Sequence, residues 1–139
     1  MSAQRSEEVL RMYLDRIVSN GELDLVDEIT HEDMVDHGVV ALGGPAGRAG
    51  FLLHIQYFRT SFPDADITIN HVTAGENEVA ALWELRGTHS SNFFGVDPTN
   101  KKIVGNAASF FSLRDGKITD YRYLVDEAGF LRQVGALSA

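Results

Sequence analysis

The hydrophobic period of this chain changes once, near Pro63. Before that residue the apolar positions recur at helical spacing; after it they alternate. Val9, Leu10, Tyr13, Leu14, Ile17 and Val18 lie three and four apart, which predicts a helix over "SEEVLRMYLDRIVSNG", residues 6–21. Ser6 reads as its N-cap, with Glu7 and Glu8 suited to the positive end of the helix and Gly21 to its C-terminal stop. A second short helix is expected at 22–29, a short extended piece at 34–38 and a glycine–proline loop at 42–47. The third helix, "GRAGFLLHIQYFRTSF", is stopped by Pro63.

Beyond Pro63, four segments read as strands: 65–74, 78–89, 101–113 and 117–125. Isoleucine, valine, threonine and aromatics dominate them. Residues 75–77 form a hairpin turn, and Asp115-Gly116 carries the strongest turn signal, a two-residue type I′ connection. Residues 90–100 make one long loop. Helices followed by an antiparallel meander predict an α+β fold. Its expected form is a cone-shaped α+β barrel, a curved antiparallel or mixed sheet wrapped around the N-terminal helices. A cone closed at one end holds a pocket. Gly87 and Gly105, both inside strands, fit bends or bulges in such a sheet.

At 139 residues the chain is expected to be one domain, 1–139. It contains no cysteine, which removes disulfides, thiolate nucleophiles and cysteine-type metal sites together. The net charge of −8 repels nucleic acid, and no basic stripe offsets it. No apolar run approaches the roughly 20 residues of a membrane span. The opening "MSAQRSEEV" lacks the basic-then-apolar pattern of a signal peptide, so a cytoplasmic location is expected. Apolar residues on the outer face of the sheet predict a homodimer or larger homo-oligomer.

The chemistry centres on Asp126, at the junction between the last strand and the short helix "EAGFLRQVG". By period two, Arg122, Leu124 and Asp126 share one face, and Tyr121, Tyr123 and Val125 the other. If the first face lines the cone, Asp126 enters an apolar pocket. Burial would then raise its pKa and suit it to general acid–base work. The competing reading makes Asp126 the N-cap of the helix. "VDHG" offers Asp36 and His37, the histidine as an oxyanion donor or an orienting group. "RGTH" offers Arg86, Thr88 and His89, with His89 either facing the substrate or holding the long loop. Asn106 sits mid-strand where an apolar residue belongs, so it ties down backbone or faces a ligand. Trp83 is assigned to the core and counted among the substrate-binding residues. Phe93 and Phe94 pack the long loop or form a lid. The five histidines show no metal-ligand spacing, and neither a phosphate loop ending in Lys-Ser/Thr nor a GxSxG elbow occurs. No metal or cofactor is expected.

"LRGTHSSNFFGVDPTNKKI" and "RDGKITDYRYLVDEAGFLRQVGA" resemble the SnoaL-like polyketide cyclases of the nuclear-transport-factor-2-like superfamily. The shared pattern is Gly87-Thr88-His89, then Phe94-Gly95 through Pro98-Thr99, then Asp115-Gly116-Lys117-Ile118. It ends on Asp126, Gly129 and Arg132-Gln133-Val134-Gly135. "VDHG" resembles the family's Asp-His of the first half. The resemblance implies the cone fold. For Asp126 it implies the acid/base role in a cofactor-independent intramolecular aldol ring closure of a small polycarbonyl or aromatic molecule. Beside it, His37, Asn106, Arg122, His89 and Trp83 are the expected substrate-binding residues. Arg122 departs from the pattern, standing where many relatives carry a tryptophan. Two alternatives stay open on the same fold: an epoxide hydrolase or hydroxylase using an Asp-Arg-Asp set that includes Arg86 or Arg122, and a non-catalytic binding or dimerisation module.

Overall fold

The computed structural model describes residues 2–137. Helix α1 (Ala3–Arg11) runs without a break into a π-helical stretch, Met12–Val18. A 3-10 turn (Leu23–Leu25) and helix α2 (Val26–Ile29) follow. Then come β1 (Thr30–Asp36), α3 (His37–Ala41), α4 (Arg48–Ser61), β2 (Asp66–Ala74), β3 (Glu78–Thr88), β4 (Lys102–Arg114), β5 (Lys117–Val125) and α5 (Glu127–Gln133). The single sheet has the order β1-β5-β4-β3-β2. β1 pairs parallel with β5; all other neighbours are antiparallel. The expected α+β cone is therefore present, with one difference: the sheet stays open, and helices complete the wall. Among the described residues no helix is long and apolar enough to cross a membrane.

Local chemistry explains most boundaries. Ser2, not Ser6, caps α1, accepting the Arg5 N–H at 3.0 Å. Ser6 lies one turn in, buried, and donates to the Glu76 carbonyl at 3.0 Å. Gly21 ends the first helical segment at φ +77°, a conformation that favours glycine. Asp115 and Gly116 both have positive φ, 54° and 76°, as a type I′ turn requires. The extended piece expected at 34–38 is a longer strand that stops at Asp36, because the Asp36 carboxylate accepts the Val39 N–H at 3.2 Å and starts α3.

The core lies between α1, α4 and the inner sheet face. Leu10, Leu14 and Ile17 meet Phe51, Ile55, Val79, Phe111 and Ile118, all buried. Along β3 and β4 every second residue is inward, as an antiparallel sheet with one wet face requires. Gly87 and Gly105 are not bulges: they pair in register with Ile103 and Leu85. Gly87 instead leaves room for the ring of Phe62, whose Cβ would lie 3.3 Å from an added methyl.

The irregularity that matters for the cavity is at Thr119. Ser112 pairs with Asp120 and Leu113 with Ile118, so β5 carries one extra residue there. That bulge inverts the parity of β5. Ile118 is buried, and three residues on, Tyr121 is buried as well. Downstream of the bulge the inward residues are therefore Tyr121, Tyr123 and Val125, not Arg122, Leu124 and Asp126.

Candidate active site

A cavity of about 490 Å³ opens between α4, the inner face of β3–β5 and the long loop. Its wall is mostly apolar and aromatic: Phe58, Phe62, Trp83, Leu85, Phe93 and Phe130 contribute. Phe93 stacks on Tyr57 at 5.4 Å and meets the edge of Phe62 at 4.9 Å. The loop aromatics Phe93 and Phe94 are thus one wall of the cavity as well as packing.

His54 stands out in this lining. It occupies the inward stripe of α4 with Phe51, Ile55 and Phe58, where an apolar side chain belongs. Its Nδ1 lies 2.8 Å from Asp36 Oδ2. Asp36 is 1% exposed, and its other oxygen caps α3. A carboxylate only accepts, so Nδ1 carries the proton and the lone pair sits on Nε2. Nε2 has no protein partner among the described residues, yet it is not sealed off. The one buried side-chain N or O left unpaired there is His89 Nε2. His54 is 19% exposed and belongs to the cavity wall. The result is an imidazole of fixed tautomer, held from behind and facing an apolar space, the arrangement that makes histidine a base.

Beside it lies a hydrogen-bonded row of donors. Trp83 Nε1 donates to Ser109 Oγ at 3.0 Å, Ser109 Oγ meets Tyr121 Oη at 3.0 Å, and Tyr13 Oη meets Tyr121 Oη at 3.3 Å. Burial pushes the phenols of Tyr13 and Tyr121 well above the ordinary tyrosine range, so both keep their protons. Tyr123 is shifted the same way, by burial first and then by the negative charge of Asp36. Its ring centroid is 4.5 Å from that of His54.

The residues expected from sequence divide between this cavity and the rest of the surface. Asp126 reaches the cavity mouth, but it is exposed rather than desolvated, because β5 has already ended and α5 begins. Its Oδ1 accepts the Gly129 N–H at 2.9 Å, so it is the N-cap of α5. The burial on which its acid/base reading was built is absent. Asn106 is also at the mouth and exposed; its carbonyl accepts the Asp126 N–H at 2.9 Å. Trp83 lines the cavity.

His37 and Arg122 do not line it. They share a more open groove with Phe110 and Leu124. There His37 Nε2 pairs with Asp120 Oδ1 at 2.8 Å, and that bond, with Arg122 contributing, holds the Asp120 carboxyl below its usual range. His89 is fully buried off the cavity, where Nδ1 accepts the Thr99 N–H at 3.2 Å and fastens the long loop. Arg86 pairs with Glu84 at 2.7 Å and is exposed. Among the described residues no arginine lines the cavity, so the Asp-Arg-Asp set has no counterpart there. No group of three or more metal-ligand side chains occurs among them either.

His54 was missed by sequence reading. The available signal was a histidine on the apolar stripe of a helix, 18 residues from an aspartate at a strand end.

The C-terminal motif acquires a physical meaning. A methyl on Gly129 would collide with the Asp126 carboxylate, so glycine three residues past the acid leaves room for the cap. Gln133 accepts the Val104 N–H at 2.8 Å and donates to the Val104 carbonyl at 2.7 Å. It thereby pairs β4 where β5 has run out.

Comparison with known proteins bears on the family and the fold. A model of the family described as SnoaL-like polyketide cyclase matches residues 7–134. The nogalonic acid methyl ester cyclase of Streptomyces nogalater is 29% identical over 119 residues, 84% of this chain and 88% of the relative. The aklanonic acid methyl ester cyclase DnrD of Streptomyces peucetius is 28% identical over 123 residues, 84% of this chain and 82% of the relative. The structure of TsrD from Streptomyces laurentii superposes with a TM-score of 0.86 at 16% identity, covering 99% of each chain, which bears on the fold alone.

Proposed function

The chain belongs to the SnoaL-like polyketide cyclase family, and from that premise we propose that it closes or isomerises a ring in a small polycarbonyl substrate by acid–base chemistry. One observation carries the reading. An apolar cavity of about 490 Å³ has in its wall an imidazole whose proton is fixed on the far nitrogen by a buried carboxylate. A C–H flanked by two carbonyls is acidic enough for such a base. His54 Nε2 takes that proton, and the electron pair moves onto a carbonyl oxygen as an enolate. The enolate carbon attacks a second carbonyl, forming the new C–C bond, and the resulting alkoxide recovers the proton from Nε2. Asp36 stabilises the imidazolium between the two transfers. This sequence requires no redox partner and no group carrier.

The names of the relatives, cyclases of nogalonic and aklanonic acid methyl esters, make polyketide methyl esters the substrate class to try first. The test is turnover of such esters by the parent chain and by His54→Gln. Parent-like turnover by that variant would remove the assignment.

A second assignment of the base has its own support. Among the described residues Asp126 is the one carboxylate in the cavity lining. Asp126→Asn keeps a capping oxygen and removes the base, so it distinguishes the two. The outer face of β3–β5 leaves Leu82, Phe110 and Leu124 exposed, and a second copy of the chain is the occupant we propose for it. Light scattering that returns a monomer would refute that part.

A further inference from the structure

We propose that the hydrogen-bonded phenols Tyr13 and Tyr121 form the oxyanion site of the cavity, donating one O–H to the oxygen of an enolate or phenolate. The argument is a count of protons. Trp83 Nε1–H, Ser109 O–H, Tyr121 O–H and Tyr13 O–H are four donors joined by three contacts. Each contact consumes one proton, so one remains without an acceptor among the described residues. The indole can only donate, which makes Ser109 accept and turns its own proton toward Tyr121. Ser109 is buried and off the cavity wall, where an O–H left without an acceptor is costly. The unassigned proton therefore falls on the phenol pair, and both rings line the cavity.

The neighbourhood suits an oxyanion. Tyr121 neighbours both the base and the other phenol: its ring centroid is 5.8 Å from that of His54 and 5.5 Å from that of Tyr13. Phe51 and Phe111 pack against both phenols and keep out water that would compete for the proton. Burial keeps both phenols protonated, so they donate and do not titrate with the substrate. Donors fixed in advance in such a low-dielectric site act on developing charge at no reorganisation cost, and deleting one donor of this kind lowers kcat by about 10²–10³-fold. In the ring closure above, the hydrogen bond holds the enolate oxygen while the carbon proton rides on His54. No further proton is transferred to or from tyrosine.

The proposal deepens the acid–base reading and rests on it, but its test needs no turnover. Substituted 2-naphthols of graded acidity are titrated against the full chain, with naphthalene as the non-ionisable control. The expected result is tighter binding as the naphthol becomes more acidic, and ionisation of the bound naphthol at lower pH than in water. Tyr13→Phe/Tyr121→Phe keeps both rings and should weaken naphtholate binding at least tenfold while naphthalene binding stays the same. If the double variant does not fold, the single replacements carry the test, and at least one must show the tenfold loss. A parent chain without naphtholate preference overturns the proposal. So does a preference that survives loss of both hydroxyls, or one abolished only by His54→Gln, since the imidazole is then the anion's partner. Turnover of a methyl ester by the parent alongside such a result would leave the cyclase reading standing without its oxyanion site.

Discussion

Two aspartate–histidine pairs in this molecule have the same 2.8 Å contact and opposite circumstances. Asp36 and His37 are neighbours in the chain, yet each belongs to a different pair. Asp36 turns inward at the end of β1 and holds His54, with side chains 0% and 19% exposed. His37 is the first residue of α3 and holds Asp120 on the outside, with side chains 38% and 32% exposed. Coulombic and hydrogen-bond energies in the outer pair are shared with water and screened by salt, which leaves at most about 1 kcal/mol. In the inner pair the carboxylate has lost its water. There the carboxylate fixes a tautomer and aims a lone pair at an apolar space. Distance alone does not identify a site; the surroundings of the pair do.

The comparison breaks first at His54. Replacing it with glutamine should lower turnover of a polyketide methyl ester by about 10²–10⁴-fold, the usual weight of a positioned general base, with circular dichroism unchanged. His37→Gln should leave turnover within about threefold on the same physical ground, since exposed pairs contribute little. Equal losses in the two variants would dissolve the distinction between the pairs.

Asp36→Asn sharpens it further. The asparagine can still cap α3, but its amide turned toward His54 donates, which forces the imidazole proton onto Nε2. Turnover should fall on the order of 10²-fold in kcat, with substrate affinity little changed.

Gly38→Ala comes next. A methyl there would meet the Tyr123 ring, with the phenol oxygen only 2.6 Å away, and the ring, which lines the cavity, must shift. The expected cost is about 1–3 kcal/mol, read from the urea midpoint, and binding of large ligands should weaken.

The smallest effect belongs to Asp120→Asn. The carboxyl of Asp120 is held below the ordinary aspartate range, first by the hydrogen bond from His37. A folded-state pKa below the unfolded one contributes stability that is complete above the unfolded value and is lost as pH falls through the folded value. The difference between parent and variant should thus be largest at neutral pH, below about 1 kcal/mol given its exposure, and vanish in strong acid. A gap that widens on acidification would reverse the sign and refute the pairing. At the other end of the scale, Tyr13 and Tyr121 have raised values, so their contribution is present below the unfolded tyrosine value and lost as pH rises. Tyrosinate absorbance from these two rings should appear only with alkaline unfolding.

Much of the fold was legible because it is local. The change of period at Pro63, the Asp115-Gly116 turn and the spacing of Asp126, Gly129 and Gln133 each act over a few residues. They specify helix, hairpin and the docking of α5 whatever the rest of the chain does. The inward face of β5 was misassigned although a clue existed: Tyr121, Tyr123 and Val125 are together more apolar than Asp120, Arg122 and Leu124. Choosing the face that carries the acid put the wrong side indoors. The extra residue at Thr119 has no signature of its own in the sequence, because a bulge is a property of two paired strands.

By itself, then, the sequence determined which segments are helices and strands, where they turn, and that helices must cover one face of a meander. Tertiary structure alone decided which acid meets which histidine. Asp36 and His54 sit on different elements, and Ser109, Tyr121 and Tyr13 on three others. Their contacts exist only after β1 has paired with β5 and α4 has packed across them. Local propensity acts along the chain, whereas burial and hydrogen-bond partnership act across space, and the chemistry of this cavity is made of the second kind.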